Sequence, residues 1–179
     1  MKPYNIPVLG FAAWSGTGKT TLLKQLLPRL QLRGLRIGCI KHAHHDFDVD
    51  LPGKDSYELR HAGARQMLIA SAKRWALMTE DLQNEAPKLA DLLAKLDTDQ
   101  LDMVLVEGFK AENYPKIELF RPVLGKSLHC EQDHSIIAVA TDDPTALPEG
   151  FTLPLLDINN LDEIDAFVYQ FCLTGGGQG

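Results

Sequence analysis

The chain has 179 residues, with 18 basic and 24 acidic side chains and a formal net charge of −6. At this size folding removes about 70% of the unfolded chain's surface from water, enough for one sizeable core without disulfide or metal staples. The acidic balance excludes general binding to nucleic acid or an anionic membrane, so any phosphate site must be local, built from backbone amides and a few cations.

Residues 8–14 (VLGFAAW) are an unbroken apolar run and predict a strand covered on both faces. Residues 15–18 (SGTG) end it. Leu22, Leu23, Leu26, Leu27 and Leu30 then recur at helical spacing, with Pro28 as a point of loosening and Gly34 as the stop. Residues 35–40 predict a second strand, and residues 41–54 (KHAHHDFDVDLPGK) a loop. Asp55 or Ser56 is expected to cap a short helix through His61. Residues 66–71 and 75–79 read as two strands around a turn, and Pro87 opens a helix to Leu96.

Residues 101–106 (LDMVLV) predict another buried strand, ended by Glu107 and Gly108. A short strand follows at 117–120, with Gly125 turning a hairpin or flap. Residues 136–140 (IIAVA) form a strand that runs into Thr141, Asp142, Asp143 and Pro144. Pro154 marks the short strand at 153–156 as an edge. The last helix covers 161–171, before a Gly-rich tail at 174–179. Alternating strands and helices predict an α/β fold of three layers around a mostly parallel sheet, with an irregular hairpin or flap insertion around 108–126. One domain is expected over 1–173. Cys39, Cys130 and Cys172 are odd in number and form no CxxC, the pattern of buried thiols in a reducing cytoplasm. Residues 1–7 lack an apolar signal core, and no run is long enough to cross a membrane.

The most informative segment is residues 13–20, AWSGTGKT. Gly18, Lys19 and Thr20 match the end of the phosphate-loop pattern GxxxxGK[ST], with Ala13 in place of the first glycine. Gly16 and Gly18 let the loop turn several N–H groups inward, and the helix start adds positive potential. Lys19 is then placed to bridge the outer phosphates, and Thr20 to offer its hydroxyl to Mg²⁺. The three-layer sheet and this loop together predict a phosphate-loop NTPase fold.

A metal-organising acid belongs at the carboxyl end of a neighbouring strand, where ligands bind in such sheets. Asp102 and Glu107 lie about 17 Å apart along an extended strand, which makes Glu107 the candidate and puts Asp102 at the far end. In the loop after the second strand, Asp46, Asp48 and Asp50 alternate with Phe47 and Val49. One of these aspartates is expected to sense the γ-phosphate through Mg²⁺ or water, and Asp50 is taken with Lys19 and Glu107 as the catalytic set.

The segments AWSGTGKTTLLKQL, IKHAHHDFDVDLPGKDSYELRHAGA, LVEGFK, KIELFRP and AVATDDP follow one another in this order. Together they resemble the molybdopterin-guanine dinucleotide biosynthesis adaptor family, MobB, with HHDFDVDLPGKDS as the most diagnostic stretch. The resemblance implies a GTP-binding protein with weak GTPase activity and Mg²⁺ dependence. It implies a homodimer working beside the guanylyltransferase MobA, which attaches GMP to molybdopterin. It carries Gly16, Thr17, Gly18, Lys19, Thr20 and Thr21 over as nucleotide contacts, with Ser15 in the same loop, and Glu107 as the acid of the Walker B strand. Asp50, Gly53, Lys54 and Asp55 carry over only as the motif.

Guanine is chosen by a carboxylate that accepts from its N1 and N2 hydrogens. Asp142 or Asp143 stands where such a group could reach the base, and Asp142 is the candidate, although TDDP replaces the usual NKxD. His42, His44 and His45 could ligate a metal or contact a switch or pterin, but solvation is the commoner role of such a cluster. Lys54, Arg60, Arg65, Lys110, Arg121 and Lys126 could meet an anionic pterin phosphate, with Lys110 and Arg121 the best placed. Two other functions fit less well. An ATP-dependent small-molecule kinase would need an arginine-rich lid, and only Arg74 and Arg121 follow residue 65. A pterin-dinucleotide binding module with negligible hydrolysis would share the same loop. The apolar last helix and the 108–126 segment are expected to leave a surface that a twofold dimer covers.

Overall fold

The computed structural model describes residues 5–43, 47–80 and 86–176. In chain order the elements are β1 (Val8–Ala13), α1 (Lys19–Leu32), β2 (Ile37–Lys41), α2 (Asp55–His61), β3 (Gln66–Ala70), β4 (Trp75–Thr79), α3 (Leu89–Leu93), β5 (Met103–Glu107), β6 (Lys116–Phe120), β7 (Ile136–Thr141), β8 (Leu155–Asp157) and α4 (Leu161–Leu173). The chain divides into two compact units, residues 1–42 with 88–179, and residues 43–87.

The larger unit is an α/β layer structure around a six-stranded sheet of order β2-β5-β1-β6-β7-β8, with every neighbouring pair parallel. Both faces of the central strands are buried, which is why they read as unbroken apolar runs. On one face Leu9, Phe11, Met103, Leu105, Ile117 and Leu119 pack with Leu22, Leu26 and Leu30 of α1 and Ile164, Val168 and Phe171 of α4. On the other, Val8, Val104 and Val106 pack with Leu89 and Leu93 of α3 and with Tyr114. Fully burying one such side chain contributes about 1.5–3 kcal/mol.

Several local expectations shift. Helix α1 runs through Pro28 to Leu32. Pro28 and Lys24 both face solvent, so the Lys24 carbonyl that loses its helical donor is reached by water. Neither Asp55 nor Ser56 caps α2: Lys54 is its N-cap residue, without a side-chain cap bond, and Asp55 lies in the first turn. Helix α3 is shorter than 87–96. Its first N–H is met by Glu112 Oε1 at 2.8 Å, and past Leu93 the chain tightens into i+3 turns at Lys95 and Leu96. Helix α4 begins at Asn160, whose side chain accepts from the Glu163 N–H. It buries its apolar stripe, so it is not the uncovered surface expected of it.

The largest difference lies in 108–126. The short strand expected at 117–120 is β6, a fully buried strand between β1 and β7, and it pairs in parallel on both sides rather than in a hairpin; the antiparallel hairpin is β3–β4, at the two strands expected around a turn. Lys116 and Glu118 carry two charges into this strand. Both are buried, at 1% and 0% exposure. The Lys116 ammonium donates to the Glu112 carbonyl at 2.6 Å, Ser135 Oγ at 2.6 Å and Asp133 Oδ2 at 3.0 Å. The Glu118 carboxylate accepts the N–H groups of His129 at 2.6 Å and Cys130 at 2.9 Å. Buried charges persist when satisfied in this way.

The smaller unit holds α2 and the antiparallel hairpin β3–β4. Leu68 pairs with Leu77, and Ala70 with Trp75, on one face of the hairpin. Leu68, Leu77 and Trp75 are 59%, 51% and 70% exposed.

Candidate nucleotide site

The turn from β1 to α1 sits at the carboxyl edge of the sheet, and its shape comes from two glycines. Gly16 has φ +86° and Gly18 has φ +98°, conformations that side chains with a Cβ rarely adopt. Gly18 is the N-cap residue of α1 and provides no side-chain cap. The first helical bond runs from the Leu22 N–H to the Gly18 carbonyl at 2.9 Å. The N–H groups of Lys19, Thr20 and Thr21 therefore have no partner within the helix, the arrangement that binds anions at helix starts.

Thr17 braces the loop from within. It is 2% exposed, and its hydroxyl donates to the Trp14 carbonyl at 2.7 Å. Ser15, Gly16, Thr20 and Thr21 are open to solvent. The Lys19 ammonium lies 3.4 Å from Glu107 Oε1, with both side chains largely buried. The register explains the meeting: Glu107 ends β5 beside Phe11 of β1 and Lys41 of β2. Asp102 lies at the other end of that strand and pairs with Arg36 at 2.9 Å. The Arg36 side-chain and backbone hydrogen bonds hold its carboxyl below the usual range.

The chain leaves Glu107 through a strained turn. Gly108 has φ +106°, and a Cβ there would lie 2.5 Å from the His42 Cβ. Phe109 follows with φ +51° and stacks on His42 at 4.7 Å. A non-glycine residue in that region costs on the order of 1 kcal/mol or more. This turn delivers Lys110, whose ammonium donates to the Ala13 carbonyl at 2.9 Å and lies 5.4 Å from the Trp14 ring centre. Burial, and next the positive Lys19, push the Lys110 ammonium below the ordinary lysine value. Trp14 is also stacked on His129 at 4.6 Å.

Arg121, the first residue after β6, is hydrogen-bonded to three separate segments of the larger unit. Its Nε donates to the Thr17 carbonyl at 3.1 Å, and its two terminal nitrogens reach Asp142 Oδ2 at 2.5 Å and Asn159 Oδ1 at 3.2 Å. Asp143 caps a short turn, accepting from the Thr145 N–H at 3.0 Å. So Lys19, Thr20, Glu107, Lys110, Arg121 and Asp142 all belong to one edge of the larger unit.

Asp50 belongs to the smaller unit, where its carboxylate sits 2.8 Å from Arg60. Burial raises the Asp50 carboxyl, but hydrogen bonds from Arg60 and Ser56 outweigh it and leave it below its ordinary value. Arg60 also binds Asp48, and Glu80 at 2.6 Å. Asp46, His44 and His45, named in the sequence reading, lie outside the described residues. Among the described residues no group of three His, Cys, Asp or Glu side chains could hold a metal ion. The Cys130 thiol is pushed up to about 12 by burial and by Glu118. No helix among the described residues is long and apolar enough to cross a membrane.

Sequence reasoning missed Glu118 and the contact of Arg121 with the loop. The available signal for the second was an arginine standing directly after a strand that neighbours the loop's own.

A family model described as molybdopterin guanine dinucleotide synthesis protein B matches residues 8–142. The chain is 54% identical over 173 residues to the molybdopterin-guanine dinucleotide biosynthesis adapter protein of Escherichia coli K12, covering 96% of this chain and 97% of the relative. It is 44% identical to the adapter protein of Haemophilus influenzae, covering 91% and 88%. The fold matches the crystal structure of Bacillus subtilis MobB with a TM-score of 0.70 at 24% identity, over 97% of this chain and all of that one.

Proposed function

Since the chain belongs to the molybdopterin guanine dinucleotide synthesis protein B family, we propose that it is a GTP-binding adapter with weak intrinsic GTPase activity. On this reading it works in the cytoplasm beside the guanylyltransferase MobA, which joins GMP to molybdopterin. It contacts molybdopterin or its guanine dinucleotide there. The observation that carries the reading is the Lys19–Glu107 pair, 3.4 Å apart at the open helix start behind Gly18.

The loop amides from Ser15 to Thr21 hold the phosphates, and Lys19 turns from Glu107 to the outer phosphate oxygens. The Thr20 hydroxyl and the Glu107 carboxylate are hard oxygen donors of the kind Mg²⁺ takes. Magnesium, when bound, neutralises charge on the β- and γ-phosphates. Asp142 accepts from the guanine edge. Asp50 is proposed to act in switching on the γ-phosphate.

Arg121, the arginine that bonds this loop, is committed to Thr17, Asp142 and Asn159, and the sequence identifies neither an arginine finger nor a glutamine for the attacking water. Turnover by the protein alone is therefore expected at roughly 10⁻⁴ to 10⁻² s⁻¹, the range of unassisted GTPases. Single-turnover release of phosphate from GTP tests this. A rate above about 1 s⁻¹ would instead indicate a dedicated enzyme.

We further propose a homodimer. Leu68, Leu77 and Trp75 give the 43–87 unit an exposed apolar sheet face, and twofold association is the commonest way to bury one. Light scattering at micromolar concentration is expected to give about twice the 19.9 kDa chain mass. A monomer persisting at high concentration would contradict it.

A further inference from the structure

We infer that Arg121 is a positioning residue that ties the phosphate loop to the base-side carboxylate, so that base recognition and phosphate binding depend on one guanidinium. This rests on the reading of Asp142 as the guanine acceptor.

The placement follows from the topology. Strand β6 lies between β1 and β7, so the residue leaving its carboxyl end stands between the loop that follows β1 and the segment that follows β7. Arg121 is that residue. Its planar fork presents donors in fixed directions, and here they go to three separate segments: Nε to the Thr17 carbonyl at 3.1 Å, one terminal nitrogen to Asp142 Oδ2 at 2.5 Å, the other to Asn159 Oδ1 at 3.2 Å. A lysine, with one nitrogen, could not reach all three.

Each contact has a consequence. A trans peptide points its C=O and N–H in opposite directions. Fixing the Thr17 carbonyl on Arg121 therefore fixes the Gly18 N–H on the side away from Arg121, at the helix start. The Thr17 side chain is already committed to the Trp14 carbonyl, so Arg121 completes the restraint of that peptide. At the other end, Arg121 holds one oxygen of Asp142 and orients the carboxylate, leaving Oδ1 for the base. A carboxylate with its rotation fixed loses less entropy on accepting from a ligand.

The test compares wild type, Arg121→Ala, Arg121→Lys and Asp142→Asn in two titrations with Mg²⁺. Pyrophosphate reads the loop alone. The ratio of ITP to GTP dissociation constants reads the base, because inosine lacks the 2-amino group. Arg121→Ala is expected to weaken pyrophosphate at least about fivefold and to cut the guanine preference at least about fivefold. Arg121→Lys should do both to a lesser degree, with a circular dichroism spectrum like wild type that excludes misfolding. Asp142→Asn should cut the guanine preference and move pyrophosphate less than Arg121→Ala does. The double variant should lose no more guanine preference than the worse single one, the sign of a shared contact.

Arginine variants that leave either titration unchanged would overturn the tie, since Arg121 would then serve one segment or none. If Asp142→Asn alone leaves the guanine preference intact, the base reading itself is wrong, and the tie falls with it for that separate reason.

Discussion

Replacing Lys19 with alanine is expected to weaken GTP binding about a hundredfold, equivalent to about 2.7 kcal/mol. The ammonium is largely buried beside the loop and has one carboxylate partner, Glu107 at 3.4 Å. Charge-assisted bonds to phosphate oxygens are about twice as strong as neutral ones. Alanine is a good helix former, and Lys19 is the first residue of α1, so circular dichroism should stay native. Unchanged affinity with an intact fold would mean that the loop does not hold phosphates.

Glu107→Gln is expected to lower GTP turnover at least about tenfold, or roughly 1.4 kcal/mol of barrier, while changing GTP affinity far less. The loop amides and Lys19 still hold the phosphates, and glutamine keeps the size of the side chain at the end of β5. What is lost is the charge that orders the metal against the transferring phosphoryl group. The pairing with Lys19 sharpens this expectation: without Glu107 the ammonium is freed for the ligand, which offsets part of any loss in binding. Asp102→Asn is the control. Asp102 pairs with Arg36 at the amino end of the same strand, so its loss should leave turnover within about twofold of wild type. A larger effect at Asp102 than at Glu107 would mean that the chemistry lies at the opposite edge of the sheet.

The turn between β1 and α1 was legible in the sequence because its geometry is local. Two glycines separated by one residue, a lysine and a threonine impose the turn wherever a buried strand meets a leucine-faced helix. The apolar runs at β1, β5 and β7 were legible for a similar reason: strands buried on both faces leave no alternation to misread. Strand β6 was legible as a short strand at 117–120, but its full burial was not. Lys116 and Glu118 carry charges into the core, and their partners Asp133, Ser135, His129 and Cys130 lie more than ten residues away in sequence. Single-strand patterning cannot show such satisfaction at a distance.

Cap identity failed on a finer scale. Asp55 and Ser56 are both good capping residues, yet the helix starts one residue earlier than their preference suggests, at an N-cap Lys54. The aspartates of the 46–50 motif have the right spacing to share a face, and Asp48 and Asp50 do share one partner, Arg60. That arginine lies ten residues beyond Asp50, and its commitment to three carboxylates could not be read from spacing. Arg121 shows the same limit: a basic residue beside the site was visible, but its direction, toward the loop carbonyl and Asp142, required the order of the strands.

The most direct measurement is a calorimetric titration of the intact protein with GTP and with ATP, each with Mg²⁺. The account predicts saturable binding of GTP to one site per chain, with ATP at least about tenfold weaker, equivalent to roughly 1.4 kcal/mol. Absence of binding by either nucleotide, or a preference for ATP, would contradict it.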